Sequence, residues 1–359
     1  MVVKVSDYIV KRLIEYGVKH VFMVTGGAAM HLNNSFGRAK GINCIFNHHE
    51  QACAIAAEGY ARTTGKLAVV NVTSGPGGLN TLTGIMGQWT DSVPVLYISG
   101  QVKFETTVGS CPDIKLRQLG DQEIDIISII KPVTKFSTSV RDPTQIRRFL
   151  DRAIHIATNG RPGPVWIDVP LDVQGAKVEE EDLPGYDQKQ DSIVFHKEAV
   201  DSKISQALNF LKNSQKPVFI AGHGIRIAGA QKLLLGLIKK LKIPVLSTFN
   251  GFDLVPSNNP YLIGRIGTIG SRAGNFALQN SDLVLCIGSR NNIRQVSYNW
   301  KSFARAAKKV IVDIDPAELK KPTVKPDLAI NCDAGYLLEE FLKRASGLPD
   351  WSWRLKWCK

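Results

Sequence analysis

Residues 67–78 read Leu-Ala-Val-Val-Asn-Val-Thr-Ser-Gly-Pro-Gly-Gly. A valine-rich run of this kind, apolar nearly throughout rather than alternating, suits a strand buried on both faces inside a parallel sheet. The turn residues that stop it then open a small-residue helix, expected over 79–89, before another apolar strand over 93–98 that ends at Ser99-Gly100. Toward the N-terminus the same alternation continues. Helical spacing over 5–16 has Ser6 as its N-cap and Gly17 as its stop, and a strand over 20–24 ends in Thr25-Gly26-Gly27. A helix over 30–39, a strand over 43–46 and a helix over 49–63 follow, and a strand over 165–169 completes a first domain.

The composition then shifts to Glu179-Glu180-Glu181-Asp182 and Pro184-Gly185, which predicts an exposed linker over 173–195. A second alternation starts with a helix over 199–212 and a strand over 217–221 ending in Gly222-His223-Gly224. A helix over 228–241 and strands over 244–248, 282–287 and 310–314 lead to a last helix over 335–343. The expected architecture is therefore α/β: two doubly wound parallel-sheet domains with helices on both faces, at 1–172 and 196–343. A tail over 344–359 ends the chain.

With 359 residues, 44 % of them hydrophobic and 21 % charged, the chain has material for about two ordinary globular domains. Its net charge of +13 is spread along the sequence, with no basic run interleaved with aromatics, which argues against nucleic-acid binding. The six cysteines form no CxxC pair, no apolar run reaches the ~18 residues of a membrane span, and no signal-peptide pattern follows Met1. A soluble protein of the reducing cytoplasm is expected.

Chemistry concentrates in Phe46-Asn47-His48-His49-Glu50-Gln51. Glu50 sits where a strand turns into a helix, partly desolvated, so its protonation is open to tuning. His48 and His49 are adjacent, which suits a positioning or solvating role better than one metal ion, and no residue is assigned as a metal ligand. Glu58 reads as a structural hydrogen-bond partner. Glycine turns at successive strand ends, including Gly26-Gly27 and Gly75-Pro76-Gly77-Gly78, point to one shared ligand site. In the second domain, Gly222-His223-Gly224 lacks full GxGxxG spacing, while Asp313 suits ribose hydroxyls and Arg290 with Arg294 suit phosphate.

Read together, these stretches resemble the thiamine-diphosphate-dependent enzymes of the acetolactate synthase group. The resemblance is carried by His49-Glu50-Gln51, by Ala57-Glu58-Gly59-Tyr60-Ala61-Arg62, and by Thr73 to Gly77 with Asn80. It continues through Asp91-Ser92-Val93-Pro94, Gly100-Gln101-Val102, Lys131-Pro132-Val133-Thr134-Lys135, Arg161-Pro162-Gly163-Pro164 and Val312-Asp313-Ile314-Asp315-Pro316. It implies that Glu50 hydrogen-bonds N1′ of the cofactor's aminopyrimidine and favours the imino tautomer, whose 4′-nitrogen takes the thiazolium C2 proton. Gly26, Gly27, Thr73, Pro76 and Asn80 would line the pyrimidine pocket, and Gln122 would lie on the substrate side. The second domain would correspond to a central domain that holds FAD or another nucleotide through Gly222, Gly224, Thr248, Phe249, Gly267, Thr268, Gly288, Arg290, Arg294, Asp313 and Asp333.

The implied activity is that of a 2-keto-acid carboligase or lyase in amino-acid biosynthesis, working as a homodimer or homotetramer. Acetyl transfer to a keto-sugar, or a non-catalytic nucleotide-binding or regulatory subunit, are the alternatives. Asp121 stands where the group usually has phenylalanine, Ile269 where it usually has histidine, and Val24-Thr25 where it has Tyr-Pro. The group's third domain carries a Gly-Asp-Gly run that binds the cofactor's diphosphate and Mg²⁺, and this sequence has no such run. The expectation is a chain that is inactive alone and needs that domain in cis or in trans.

Overall fold

The structure, a computed structural model, describes residues 1–359 and resolves into two compact units, 1–193 and 194–359. The first unit begins with β1 (Val2–Lys4), α1 (Val5–Glu15), β2 (His20–Met23), α2 (Met30–Arg38), β3 (Asn43–Phe46), α3 (Glu50–Thr64) and β4 (Ala68–Val72). A single turn α4 (Pro76–Leu79), α5 (Leu82–Asp91), β5 (Val95–Gln101), α6 (Ile126–Ile130), β6 (Phe136–Ser139) and α7 (Ile146–Thr158) follow. The unit closes with β7 (Val165–Pro170), α8 (Leu171–Gly175) and β8 (Lys177–Glu179).

Six of these strands form one wholly parallel sheet in the order β3-β2-β4-β5-β7-β6. The valine-rich run is β4, inside the sheet between β2 and β5. Val69 packs into the core that holds Val10, Leu32 and Leu150, whereas Val70 and Val72 join Cys53, Ala57 and Ile85 on the opposite face. Both faces are thus covered, which is why the run does not alternate. α3 and α5 meet at small residues because these helices lie close together. A Cβ on Gly84 would stand 2.4 Å from that of Ala54, and Gln88 Nε2 donates to Ala54 O at 2.9 Å.

Two expectations need correction here. Ser6 is not an N-cap: α1 starts at Val5 directly after β1, and Ser6 is fully buried, its Oγ 2.9 Å from that of Ser35. Much of 173–195 is not an exposed linker. β8 pairs antiparallel with β1, and Val173, Val178 and Leu183 are buried in the first core. The acidic run that suggested a linker is answered by cations, the N-terminal amine at 3.2 Å from Glu179 and Lys11 Nζ at 2.6 Å from Glu180.

The second unit comprises α9 (Lys197–Lys212), β9 (Pro217–Ala221), α10 (Gly224–Ile227), α11 (Gln231–Leu241), β10 (Val245–Ser247), β11 (Leu262–Arg265), α12 (Arg272–Gln279) and β12 (Leu283–Ile287). It continues with α13 (Ile293–Val296), β13 (Lys308–Asp313), β14 (Leu328–Asn331), α14 (Ala334–Arg344) and α15 (Ser352–Cys358). Its parallel sheet runs β11-β10-β9-β12-β13-β14 and carries a separate core on each face. Residues 344–359 are no loose tail. Trp351 and Arg354 are buried, Trp351 Nε1 donates to Ser214 O at 2.9 Å, and Arg354 Nη2 reaches Ala277 O and Asn280 O at 3.1 and 3.0 Å. Those carbonyls end α12, where a cation is favoured by the helix dipole. No helix is long and apolar enough to cross a membrane.

Candidate active site

In an open parallel sheet the ligand crevice lies beyond the carboxyl ends of the strands, where the winding reverses. In the first unit that point falls between β2 and β4. Three turns converge there: Thr25-Gly26-Gly27 after β2, His48-His49-Glu50 after β3, and Thr73 to Gly77 after β4. Their approach is close enough to require glycine. A Cβ on Gly26 would stand 2.5 Å from Thr73 Cβ, and one on Gly77 would stand 2.7 Å from Thr73 Cγ2 and 3.6 Å from Glu50 Oε1.

Glu50 occupies the first turn of α3, where exposed backbone amides favour a carboxylate. His49 caps that helix, its Nδ1 accepting from Gln51 N at 3.1 Å. Asn80 Nδ2 donates to Glu50 Oε2 at 3.0 Å, and Oε1 makes no hydrogen bond within the chain. One oxygen is therefore fixed while the other stays free to meet a donor. Pro76 lies exposed at the start of α4, and Gly27 has nothing within 4 Å of where its Cβ would be.

Beneath the Gly26 turn lies a pair, buried Asn71 and half-buried Asn33, that sequence reading does not single out. Asn71 Nδ2 donates to Asn33 Oδ1 at 2.9 Å, and Asn33 Nδ2 donates to Gly26 O at 3.2 Å. Polarity in the middle of β4 is the only hint of it. Glu58 is a structural partner, at 2.7 Å from Arg62, which also meets Asp91 at 2.6 Å. Gln122 lies against this site through its backbone, since a Cβ on Gly75 would stand 2.0 Å from Gln122 O. A buried acid lies deeper in the sheet. Burial lifts the Asp168 carboxyl from 3.8 to about 7, against the opposing hydrogen bonds from Ser99 and Gln101.

In the second unit the winding reverses between β9 and β12, and Gly222, Gly224 and Gly288 meet there. They are consumed by one another: a Cβ on Gly222 would stand 2.2 Å from Gly288 O, and Gly224 N donates to that oxygen at 2.9 Å. Thr248 Oγ1 donates to Ala221 O at 3.2 Å, Thr268 Oγ1 to Arg294 O at 3.2 Å, and Gly267 is bracketed by Asn275 at 3.0 and 3.1 Å. Half-exposed Phe249 lies under the Arg294 guanidinium, 5.8 Å from centroid to Cζ. Asp313 Oδ1 accepts from Asp315 N at 3.0 Å, and the carbonyl of Arg290 accepts from Lys321 Nζ at 2.5 Å. Asp333 falls outside the cluster. It follows edge strand β14 and caps α14, accepting from Gly335 N at 2.8 Å and Tyr336 N at 3.2 Å.

Comparison with known proteins agrees with this geometry. Residues 3–129 match the family model of the thiamine pyrophosphate enzyme N-terminal TPP binding domain, and residues 204–341 match that of the thiamine pyrophosphate enzyme central domain. The probable acetolactate synthase large subunit of Methanocaldococcus jannaschii is 37 % identical over 347 residues, 94 % of this chain and 56 % of the relative. The acetolactate synthase large subunit of Lactococcus lactis is 36 % identical over 354 residues, 96 % of this chain and 58 % of its own length. That of Haemophilus influenzae is 34 % identical over 370 residues, covering 98 % and 62 %. The chain thus spans little more than half the length of the first two relatives. Carrying both matched domains in their family order, the chain belongs to the thiamine pyrophosphate enzymes.

Proposed function

We propose that this chain provides the pyrimidine-activating domain and the central domain of a thiamine-diphosphate-dependent, acetolactate synthase-like carboligase. Its substrate is a 2-keto acid such as pyruvate, and its acyl acceptor is a second keto compound. The observation that carries this reading is Glu50, with one oxygen held by Asn80 and the other free, in a cradle that Cβ atoms on Gly26 and Gly77 would fill. Thiamine diphosphate, when bound, supplies the electron sink that lets a keto acid lose carbon dioxide and pass on its acyl carbon. Glu50 would share a proton with a weakly basic ring nitrogen, Asn80 would hold that carboxylate in place, and the Gly26, Gly27, Thr73 and Pro76 turns would shape the wall.

A diphosphate with Mg²⁺ needs several oxygen ligands, and these would come from a diphosphate-binding domain in cis or in trans. Phe46, Ile55 and Met86, all at least half exposed on the β3, α3 and α5 side that carries Glu50, support a further domain packing there. In a homodimer or homotetramer that domain would belong to a second copy. In the central domain, Arg294 over Phe249 supports a nucleotide-type ligand such as FAD, with Arg290 and Asp313 nearby. The enzyme would work in the cytoplasm.

The test combines the 359-residue chain with a separately produced diphosphate-binding domain, thiamine diphosphate, Mg²⁺ and pyruvate. The chain alone should give no turnover. Glu50→Gln should lower turnover of the assembly by about 10²-fold or more without changing thermal stability. Equal turnover by wild type and Glu50→Gln would refute the assignment. A flavin absorbance spectrum of the purified chain tests the nucleotide.

A further inference from the structure

Residues 102–125 join β5 to α6, and their only helical structure is two single 3-10 turns, Phe104–Thr106 and Val108–Ser110. A connection of that length needs its own packing device. Its two limbs meet backbone to backbone at Gly120, where a Cβ would stand 2.5 Å from Thr106 O. Glu123, only 5 % exposed, accepts at a single oxygen, Oε1, from Val108 N at 2.8 Å and Leu119 N at 3.0 Å. Its own carbonyl accepts from Gln118 Nε2 at 3.2 Å. A buried carboxylate answered by peptide amides rather than by a cation is costly unless both bonds persist, so Glu123 ties the two limbs together.

The neighbouring residue carries the consequence. Gln122 has φ +55, a left-handed conformation that side chains other than glycine adopt only under constraint. Its carbonyl lies on Gly75, at 2.0 Å from where a Cβ would be, and Gly75 opens the turn bearing Pro76 and Gly77. The Gln122 side chain stays exposed and makes no hydrogen bond within the chain. Strained backbone of this kind clusters at ligand sites, and here it adjoins the Gly75 turn and carries an amide unbonded within the chain.

We propose that Glu123 is a positioning residue: it pins segment 102–122 onto the Gly75 turn and so presents the Gln122 amide to the carboxylate or carbonyl of a 2-keto acid. The substrate end of this proposal rests on the thiamine reading above. The clamp itself does not. Hydrogen–deuterium exchange of the 359-residue chain tests it, comparing wild type with Glu123→Ala and Glu123→Gln. In Glu123→Ala the Val108 and Leu119 amides should exchange at least about tenfold faster while β4 and β5 amides are unchanged. Glu123→Gln retains an oxygen able to accept both bonds and should stay near wild type. Equal exchange in all three proteins, or release in Glu123→Gln as well, would overturn the clamp.

In the assembled enzyme, Glu123→Ala should raise KM for the keto acid by about the same factor as Gln122→Ala, about tenfold for one lost hydrogen bond. KM for thiamine diphosphate should not move. A released segment with an unchanged keto-acid KM would overturn the positioning role. Failure of the thiamine reading would show separately, as turnover that survives Glu50→Gln.

Discussion

Replacing Asp168 by Asn should make the first unit more stable at neutral pH, and the structure sets the size of the effect. Asp168 is 4 % exposed on β7, and Ser99 Oγ lies 2.5 Å from its Oδ1. Trp166 Nε1 donates to that same hydroxyl at 2.8 Å, and since an indole can only donate, the hydroxyl proton is committed to Asp168. Burial nevertheless dominates and raises the carboxyl from 3.8 to about 7. Because the folded value lies above the unfolded one, the folded state keeps a proton that the unfolded state loses at lower pH. The contribution is full below about pH 4 and is lost as pH rises through 7. Over the whole window this is roughly 4 kcal/mol, of which roughly 2.5 kcal/mol falls between pH 5 and pH 7.5. Asn keeps the shape and an acceptor for Ser99 but carries no charge to desolvate. The stability difference between variant and wild type should therefore move in the variant's favour by roughly 2.5 kcal/mol between pH 5 and pH 7.5. Exchange of the most protected β4 and β5 amides, corrected for intrinsic rates, reads this for the first unit alone. Parallel profiles for the two proteins over that range would refute the reasoning.

Gly27→Ala should leave thermal stability unchanged, since nothing lies within 4 Å of the new atom, yet weaken thiamine diphosphate binding by the assembly. Gly222→Ala, with a Cβ 2.2 Å from Gly288 O, should cost the second unit about 3 kcal/mol in urea unfolding. Gly84→Ala should cost about 1–3 kcal/mol because its Cβ would stand 2.4 Å from that of Ala54, and a double-mutant cycle with Ala54→Gly should recover much of that loss. Burial first, then Arg161, lowers the Lys135 ammonium to about 8, while its Nζ donates to Ile156 O and Asn159 O at the end of α7. Its folded value lies below the unfolded 10.5, so wild-type stability should rise between pH 8 and pH 10 relative to Lys135→Met; a flat difference would refute this.

The parts of the fold most plainly legible in the sequence are strands whose burial is complete. β4, β5, β7, β9 and β12 are buried along their whole length and read as continuous apolar runs. Edge strands β6, β11 and β14 escape notice because an edge is covered less and tolerates polar residues: β6 is Phe-Ser-Thr-Ser and half-buried throughout. Edge strand β3, more exposed, still reads as a strand because Asn-Cys-Ile-Phe is mostly apolar. Glu50 was legible because a carboxylate at a strand-to-helix junction is local information. The Asn33–Asn71 pair was not, because it depends on how α2 lies over β4, a long-range relation that no spacing reveals. Asp333 shows a double meaning. An aspartate after a strand suits a ligand hydroxyl and a helix N-cap equally well, and here its Oδ1 is taken by the cap. β14 is the sheet edge, with β13 between it and β12, so Asp333 caps α14 away from the reversal point.

Glycines at strand ends carry two physical meanings, and the two units separate them. Around Gly222 and Gly288 the space vacated by the side chains is filled by backbone: Gly222 N donates to Ile287 O at 3.0 Å and Gly224 N to Gly288 O at 2.9 Å. Those glycines let two turns touch, and a ligand cannot occupy space the chain already fills. They explain how β9 joins β12 and add nothing to the case for a nucleotide, which rests on the aromatic and cationic groups at Phe249 and Arg294. In the first unit the vacated space lies differently. Gly27 has nothing within 4 Å, and the absent Cβ of Gly77 would lie 3.6 Å from a carboxylate oxygen that has no partner in the chain. Room kept open beside a half-exposed carboxylate oxygen that the chain itself leaves unbonded is what a bound donor requires. The glycine motif is equally prominent in both halves of the sequence, but only around Glu50 does it leave a ligand somewhere to go.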